Sequence, residues 1–504
     1  MIELVVKNLD ISYGGMAIVL NEDDARILGV RPYDRVKISH DDRSIISVVT
    51  TTRTFIKRGE IGLFREVTDV LKVSNGDVVK VNITRMPHAM EFIRKKLKGK
   101  TLTKDEIYAI VKSTVSGELT ELECAAFLLA QEFQGMSVDE IVYLTQAMVE
   151  TGDTISFEET TYDIHSIGGV PGNSKVALLE VPMVASAGLL IPKTSSRAIT
   201  SPAGSADTME VLANVTLTAD EIRRIAPKVK GLLIWGGYLN LAPADDIFIK
   251  VEYPLRIDPR SQTIASILSK KLSMGVSYLV MDLPVGKGAK LESIKDAESF
   301  ARIALEVGEK LGLTLRCAIT YGGQPIGYSI GPALEAREAL VALQTGKGAM
   351  SLIEKAASLA GLIFEMAGVT LKGEGINLAK ELLYNGKAWK KMREMIEAQG
   401  GDPNVKPEDI PIGEKKIEIR SVADSYVTHV DNTAITLIAR TAGAPTDKGA
   451  GIILHVKAGR KVRRGDILME IYSESSSKLT EAYNLYLKLH PITLEGMLLK
   501  SLPE

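Results

Sequence analysis

The chain has 504 residues, too many for one hydrophobic core, and about three domains are the default at that length. A composition of 45 % hydrophobic and 25 % charged residues excludes a disordered or collagen-like chain. With 61 basic against 63 acidic side chains, no whole-protein field would draw it onto nucleic acid or an anionic membrane, so small-molecule chemistry is the stronger expectation.

Met1 to Val6 lacks the basic and long apolar segments of a signal peptide, and no run reaches the ~18 apolar residues of a membrane span. The expected location is the cytoplasm. Cys124 and Cys317 sit in apolar stretches without ligand spacing and read as core thiols.

Residues 1–85 alternate β-rich runs, such as Val36 to Ser39 and Val78 to Ile83, with turn signals at Tyr13 to Gly15 and Ser74 to Asp77. A small N-terminal β-barrel is expected. The pattern then turns helical, with capping boxes at Thr103/Glu106, Thr120/Glu123 and Ser137/Glu140. A helical domain over 86–162 follows, and a fourth box at Thr218/Glu221 suggests that the chain revisits it near 208–228.

From 163 to 415, short apolar runs ending in Gly-rich or polar turns alternate with helical stretches: Gly188 to Ile191, Gly231 to Trp235, Tyr278 to Met281 and Leu313 to Cys317. This predicts an α/β domain with a central mixed sheet, whose ligands collect outside the carboxyl ends of the strands. Residues 416–504 return to β-rich runs and read as a C-terminal α+β module.

Three turns of the α/β region carry candidate chemistry. Asp163 to Lys175 is Gly-rich and opens a helix, so its backbone N–H groups and Lys175 would suit an anion; the plain alternative is a tight turn needing glycine. Pro192 to Asp207 holds six hydroxyl side chains, Lys193 and Arg197, donors that match phosphate oxygens, although such loops are often merely solvated. Asp282 to Lys290 is a third Gly-rich turn with two lysines. Ser266 and Lys270 lie four apart, on one helical face, where they could grip a planar base. Asp258 would otherwise cap that helix, and Lys270 and Lys290 would otherwise be surface charges.

Together these loops resemble the thymidine and pyrimidine-nucleoside phosphorylase family, from about residue 86 to the C-terminus. Ile164 to Gly169 stands where that family has Lys-His-Ser-Thr-Gly-Gly, Ala265 to Lys271 matches its Ala-Ser-Ile-Leu-x-Lys-Lys run, and Leu241 to Asp245 its Leu-Ala-Pro-Ala-Asp. The resemblance implies a helical and an α/β domain closing over phosphate and nucleoside, Ser266 and Lys270 against the base, and Ser195 and Ser205 in phosphate loops.

The departures matter as much. The family's phosphate lysine is Ile164 here, its Ser-Gly-Arg-Gly-Leu-Gly-His loop is Ser195 to Ser201, and the arginine before its Asp-Val-Thr aligns near Glu252. An archaeal nucleoside-monophosphate phosphorylase branch is similar in the Thr194 to Thr200 loop and in carrying an N-terminal barrel. That resemblance implies the reaction of AMP and phosphate to adenine and ribose 1,5-bisphosphate, with CMP and UMP as further substrates. It implies Asp258 as proton donor, and Gly168, Gly169, Thr194, Ser195, Ser196, Arg197, Ala198, Ile199, Thr200, Ser201, Ser205, Ser266, Lys270 and Lys290 as substrate-binding positions. It also implies a homo-oligomer, a dimer or larger.

Breaking an N-glycosidic bond develops positive charge on the sugar and negative charge on the departing base, so the chemistry needs an anionic nucleophile and an acid. Phosphate and Asp258 would fill those roles, with no metal or other cofactor and no nucleic-acid or membrane partner expected. The alternatives are a pyrimidine-nucleoside phosphorylase, a Mg-dependent phosphoribosyltransferase, and a non-catalytic nucleotide sensor.

Overall fold

A computed structural model of the chain describes residues 1–84 and 86–497. They form two compact units: Met1–Thr151 with Pro243–Gln262, and Gly152–Ala242 with the chain from Thr263 onward.

The first unit opens with strands β1 (Ile2–Asn8), β2 (Ala17–Asn21), β3 (Arg35–His40), β4 (Arg43–Thr52), β5 (Glu60–Leu63) and β6 (Val78–Ile83), interrupted by helices α1 (Glu22–Leu28) and α2 (Arg65–Leu71). The strands close into a barrel in the order β1-β5-β2-β4-β3-β6. β1 pairs with β5 on one side and β6 on the other, so no edge is left open. Alternation along each strand sends Leu4, Val6, Val36, Ile38, Val79 and Val81 into one core.

Helices α3 (Ala89–Leu97), α4 (Lys104–Val115), α5 (Glu121–Gln134) and α6 (Val138–Glu150) follow. The capping boxes at Thr103 and Ser137 close in both directions, and at Thr120 the Glu123 carboxylate accepts the cap residue's N–H at 2.8 Å. Lys96 and Glu140 form a buried ion pair at 2.8 Å, and Glu140 also accepts the Leu102 N–H.

The chain returns to this layer through α10 (Pro243–Leu255), not near 208–228 as the fourth capping box suggested. Phe248 of α10 meets Phe127 with ring centroids 5.8 Å apart, and Gln262 donates to Asp245 at 3.0 Å. The box at Thr218 does start a helix, but that helix packs within the second unit. A capping box marks where a helix starts; the layer it joins is decided by its apolar face.

The second unit is built on β7 (Tyr162–Ser166), β8 (Ile191–Ser195), β9 (Gly231–Trp235), β10 (Tyr278–Val285) and β11 (Thr314–Tyr321). β7, β10 and β11 pair in parallel, as do β8 and β9, and a parallel bridge between Thr161 and Leu190 links the two sets. Each of these pairings is parallel where a mixed sheet was expected. Helical crossovers return each strand to the same starting edge, which makes neighbours parallel.

Helices α7 (Val176–Ser186), α8 (Ser205–Glu210), α9 (Ala219–Val229), α11 (Arg260–Ser273) and α12 (Ile294–Lys310) supply the crossovers. α7 is apolar nearly all round and buried from Val176 to Ala185, as a helix in the middle of a large core must be. Around it lie α13 (Pro332–Thr345), α14 (Met350–Met366), α15 (Gly375–Tyr384) and α16 (Lys387–Ala398).

The C-terminal part adds β12 (Ser329–Ile330), β13 (Lys415–Arg420), β14 (Ser425–Val430), α17 (Asn432–Thr441), β15 (Gly451–Leu454), β16 (Lys461–Val462), β17 (Ile467–Ser473), α18 (Ser476–Leu489) and β18 (Ile492–Glu495). They form two sheets, β12-β15-β17-β13 and β16-β14-β18, over a core that includes Ile435, Ile438, Leu454 and Ile471. Among the described residues no helix is long and apolar enough to cross a membrane.

Candidate active site

Because β7, β8 and β10 run parallel, their carboxyl ends open on one edge of the sheet, and the three candidate loops leave from that edge. Ser166 ends β7, Ser195 ends β8 and Val285 ends β10. Thr194 and Ser195, expected in a loop, are thus the last residues of a strand.

In the first loop Gly168 and Gly169 hold φ of 80° and 89°, a left-handed conformation that a side chain would strain. The Ser166 hydroxyl oxygen accepts the Gly168 N–H at 3.3 Å and the Asn173 amide at 3.0 Å. A Cβ on Gly169 would lie 2.8 Å from the Lys290 nitrogen and 2.9 Å from its Cγ, so the third loop packs its lysine stem against the first. Lys175 is a correction to the sequence reading. It is fully buried, pairs with Glu338 at 3.1 Å and donates to the Ser329 carbonyl at 2.6 Å, so its charge is used inside the fold.

The second loop is folded on itself. Ser195 donates to the Ser196 carbonyl and Ser201 to the Ala203 carbonyl. The Ala198 and Gly204 N–H groups both donate to Asp207. Arg197 donates to Glu210 at 2.6 Å, reaches Asp207 at 3.3 Å and stacks 4.6 Å from the Trp235 ring centre. Its pKa is raised, chiefly by the bond to Glu210. Lys448 joins the same carboxylates, at 3.2 Å from Asp207 and 2.8 Å from Glu210, while Arg440 donates to the Ser201 carbonyl. Ser196, Ile199 and Thr200 are exposed, and Ser205 opens α8 half-buried.

Ser266 and Lys270 both lie on α11, half-buried. Asp258 lies in the short non-helical stretch between α10 and α11, is exposed, and belongs to the first unit.

Beneath the loops sits a buried charged cluster that local sequence did not show. Lys193 donates to the Ile164 carbonyl and lies 3.5 Å from both Asp163 and Glu180. Lys271 pairs with Asp163 at 2.7 Å and donates to both oxygens of Thr194. Burial, and then the neighbouring Lys271, Lys193, Lys270 and Lys290, hold the His165 pKa well below its ordinary value, so its imidazole is neutral at pH 7. Burial also raises the Glu180 pKa to about 7 and lowers that of Lys271 to about 8. Apart from Glu180, the partners of these lysines are tens of residues away in sequence, so only the doubled Lys270-Lys271 run hints at the second one.

The described arrangement is matched by three family models: the glycosyl transferase family helical bundle domain over residues 90–152, the glycosyl transferase family a/b domain over 158–389, and the pyrimidine nucleoside phosphorylase C-terminal domain over 426–493. A protein of Pyrococcus furiosus named AMP phosphorylase is 52 % identical over 98 % of each chain. The chain belongs to the AMP phosphorylase family.

Two further AMP phosphorylases agree: that of Thermococcus kodakarensis is 51 % identical over 98 % of each chain, and that of Methanocaldococcus jannaschii 49 % identical over 100 % of this chain and 99 % of its own. The anthranilate phosphoribosyltransferase of Thermus thermophilus has the same fold over 61 % of this chain and 99 % of its own, with a TM-score of 0.52 at 20 % identity. Membership in the AMP phosphorylase family makes the chain a glycosyltransferase of the phosphorylase type acting on small molecules.

Proposed function

We propose that the chain splits AMP with inorganic phosphate into adenine and α-D-ribose 1,5-bisphosphate, and takes CMP and UMP as well, in the degradation of AMP in the cytoplasm. One observation carries the reading: two donor-rich loops leave adjacent strand ends, more than a single inorganic phosphate needs, and near-full-length relatives are named for AMP. A 5′-phosphate accounts for the second anion. The isoleucine at 164, where nucleoside enzymes of the resembling family carry a phosphate lysine, favours this over a pyrimidine-nucleoside phosphorylase.

A phosphate oxygen attacks C1′ of the ribose, the C1′–N bond breaks, and the base leaves with a proton from Asp258. The backbone of Gly168 and Gly169, residues 194–201, Ser205 and Lys290 bind the phosphoryl groups; Ser266 and Lys270 hold the base. Arg197 serves this site through Glu210 and Trp235, by fixing the shape of the loop 194–201. Copies of the chain assemble as a homo-oligomer.

Each hydrogen bond to a charged group contributes ~1.5–3 kcal/mol, so two contacts to the 5′-phosphate predict about 10²–10⁴-fold preference for AMP over adenosine in kcat/KM. The test measures AMP, adenosine, uridine and thymidine at one phosphate concentration, identifies the sugar product, and repeats the AMP assay with Asp258→Asn. Equal use of AMP and adenosine would sink the nucleotide reading. Near wild-type turnover by the variant would move the acid elsewhere.

A further inference from the structure

We propose that Lys271 is a positioning residue for phosphoryl binding: it fixes Thr194 so that the threonine hydroxyl can donate only outward, to an oxygen of a bound phosphate or phosphomonoester. The inference rests on the phosphorolytic reading of this site and deepens it.

The side chain of Lys271 is 1 % exposed, and its ammonium meets two strands at once. It lies 2.7 Å from the Asp163 carboxylate on β7 and donates to the Thr194 carbonyl at 2.8 Å and to the Thr194 Oγ1 at 3.0 Å on β8. An ammonium has donors and no lone pair, so in that last bond the threonine oxygen must accept. Its own proton is therefore left for another acceptor. Among the described residues no protein group takes it, although Thr194 is only 3 % exposed and a buried hydroxyl ordinarily finds a partner.

Thr194 stands where β8 passes into the donor-rich loop, and Asp163 stands three residues before Ser166 at the root of the Gly-rich loop. Lys271 thus ties β7 and the start of the donor-rich loop to α11, the helix that carries Ser266 and Lys270. The titratable groups around it are Asp163 and the neutral His165 on β7, Lys193 on β8 and Lys270 on its own helix. Burial lowers the Lys271 pKa to about 8 and Asp163 offsets part of that effect, so the ammonium stays protonated near neutral pH, where the hydroxyl polarity is set as described.

The test is a double-mutant cycle with Lys271→Met and Thr194→Val in the otherwise unaltered chain, where Asp163 keeps Lys193 as a partner when Lys271 is removed. KM and kcat are measured for AMP and for inorganic phosphate, and direct binding of each by calorimetry. Lys271→Met is expected to raise KM, or the directly measured dissociation constant, for one of the two by about tenfold or more when Thr194 is present, and by less than about twofold in the Thr194→Val background, with kcat changed far less. Thr194→Ser, which keeps the hydroxyl, is expected to keep the coupling. Equal effects of Lys271→Met in both backgrounds would overturn the proposal and leave a merely structural lysine. The calorimetric arm separates the two readings: a wild type that binds AMP without splitting it would count against phosphorolysis while the cycle still judges Lys271, and a wild type that binds neither ligand overturns both.

Discussion

Lys175, Lys193 and Lys271 would each be placed in solvent or on a ligand by residue type alone, and each is buried against a carboxylate far away in sequence: Glu338, Glu180 with Asp163, and Asp163. Local sequence shows charge; burial depends on which strands become neighbours, and no pattern around Lys193 reveals Asp163 thirty residues earlier. The cluster has a consequence for stability. Burial raises Glu180 from its ordinary 4.5 to about 7, only partly offset by Lys193. A raised folded pKa means that the fold holds a proton which the unfolded chain releases above about 4.5, so this contribution is complete below that pH and is lost as pH rises through about 7. The difference corresponds to about 3 kcal/mol at most. Glu180→Gln, neutral at every pH and of similar shape, is expected to raise the urea midpoint at pH 8 relative to wild type by more than it does at pH 5. The same shift at both pH values would show that Glu180 is not a titrating member of the cluster.

At the level of elements, the capping boxes placed the starts of α4, α5, α6 and α9 from sequence because the signal is local and chemical. The return of α10 to the helical layer was not legible, since a helix opening on Pro243 carries no hydroxyl cap and its destination is set by partners such as Phe127. β8 lies later than the apolar run Gly188 to Ile191 suggests: its ladder with β9 runs from Ile191 through Thr194 and Ser195. Polar residues can occupy a strand when their side chains find buried partners, as Thr194 does in Lys271.

The second anion loop is shaped by a close approach of the same unreadable kind. A Cβ on Gly204 would come 2.5 Å from the Ser196 carbonyl oxygen and 2.8 Å from the Ala198 nitrogen, so the loop crosses directly over the glycine. The Gly204 φ of −97° suits any residue, which makes the effect of a substitution steric. Gly204→Ala is expected to push residues 196–198 outward, raise KM for AMP by about tenfold, and cost about 1–3 kcal/mol as overpacking does. An unchanged KM would mean that this stretch of the loop does not shape the nucleotide site.

On the scale of the whole molecule, the N-terminal barrel has a hydrophobic core of its own. It lies outside the three matching family models, which begin at residue 90. It pairs every strand within itself and buries its own core, from Leu4 to Val81, so its stability does not depend on a neighbour to cover an edge. Within the first unit Arg35 links it to the helices: it donates to the Glu118 carbonyl at 2.7 Å and pairs with Glu123, the same glutamate that completes the capping box of α5. Removing the barrel leaves that box intact and takes away one partly buried ion pair. The loss should therefore be about 1–3 kcal/mol to the helical layer rather than its collapse. A chain starting at residue 86 is expected to keep kcat/KM on AMP within about threefold of the full chain, because none of the residues proposed to bind or protonate substrate lies before Gly168. Residues 1–84 alone are expected to unfold cooperatively, as a closed barrel with a private core should. A loss of activity beyond about tenfold in the shortened chain, with its helical signal retained, would show that the barrel contributes to the reaction itself.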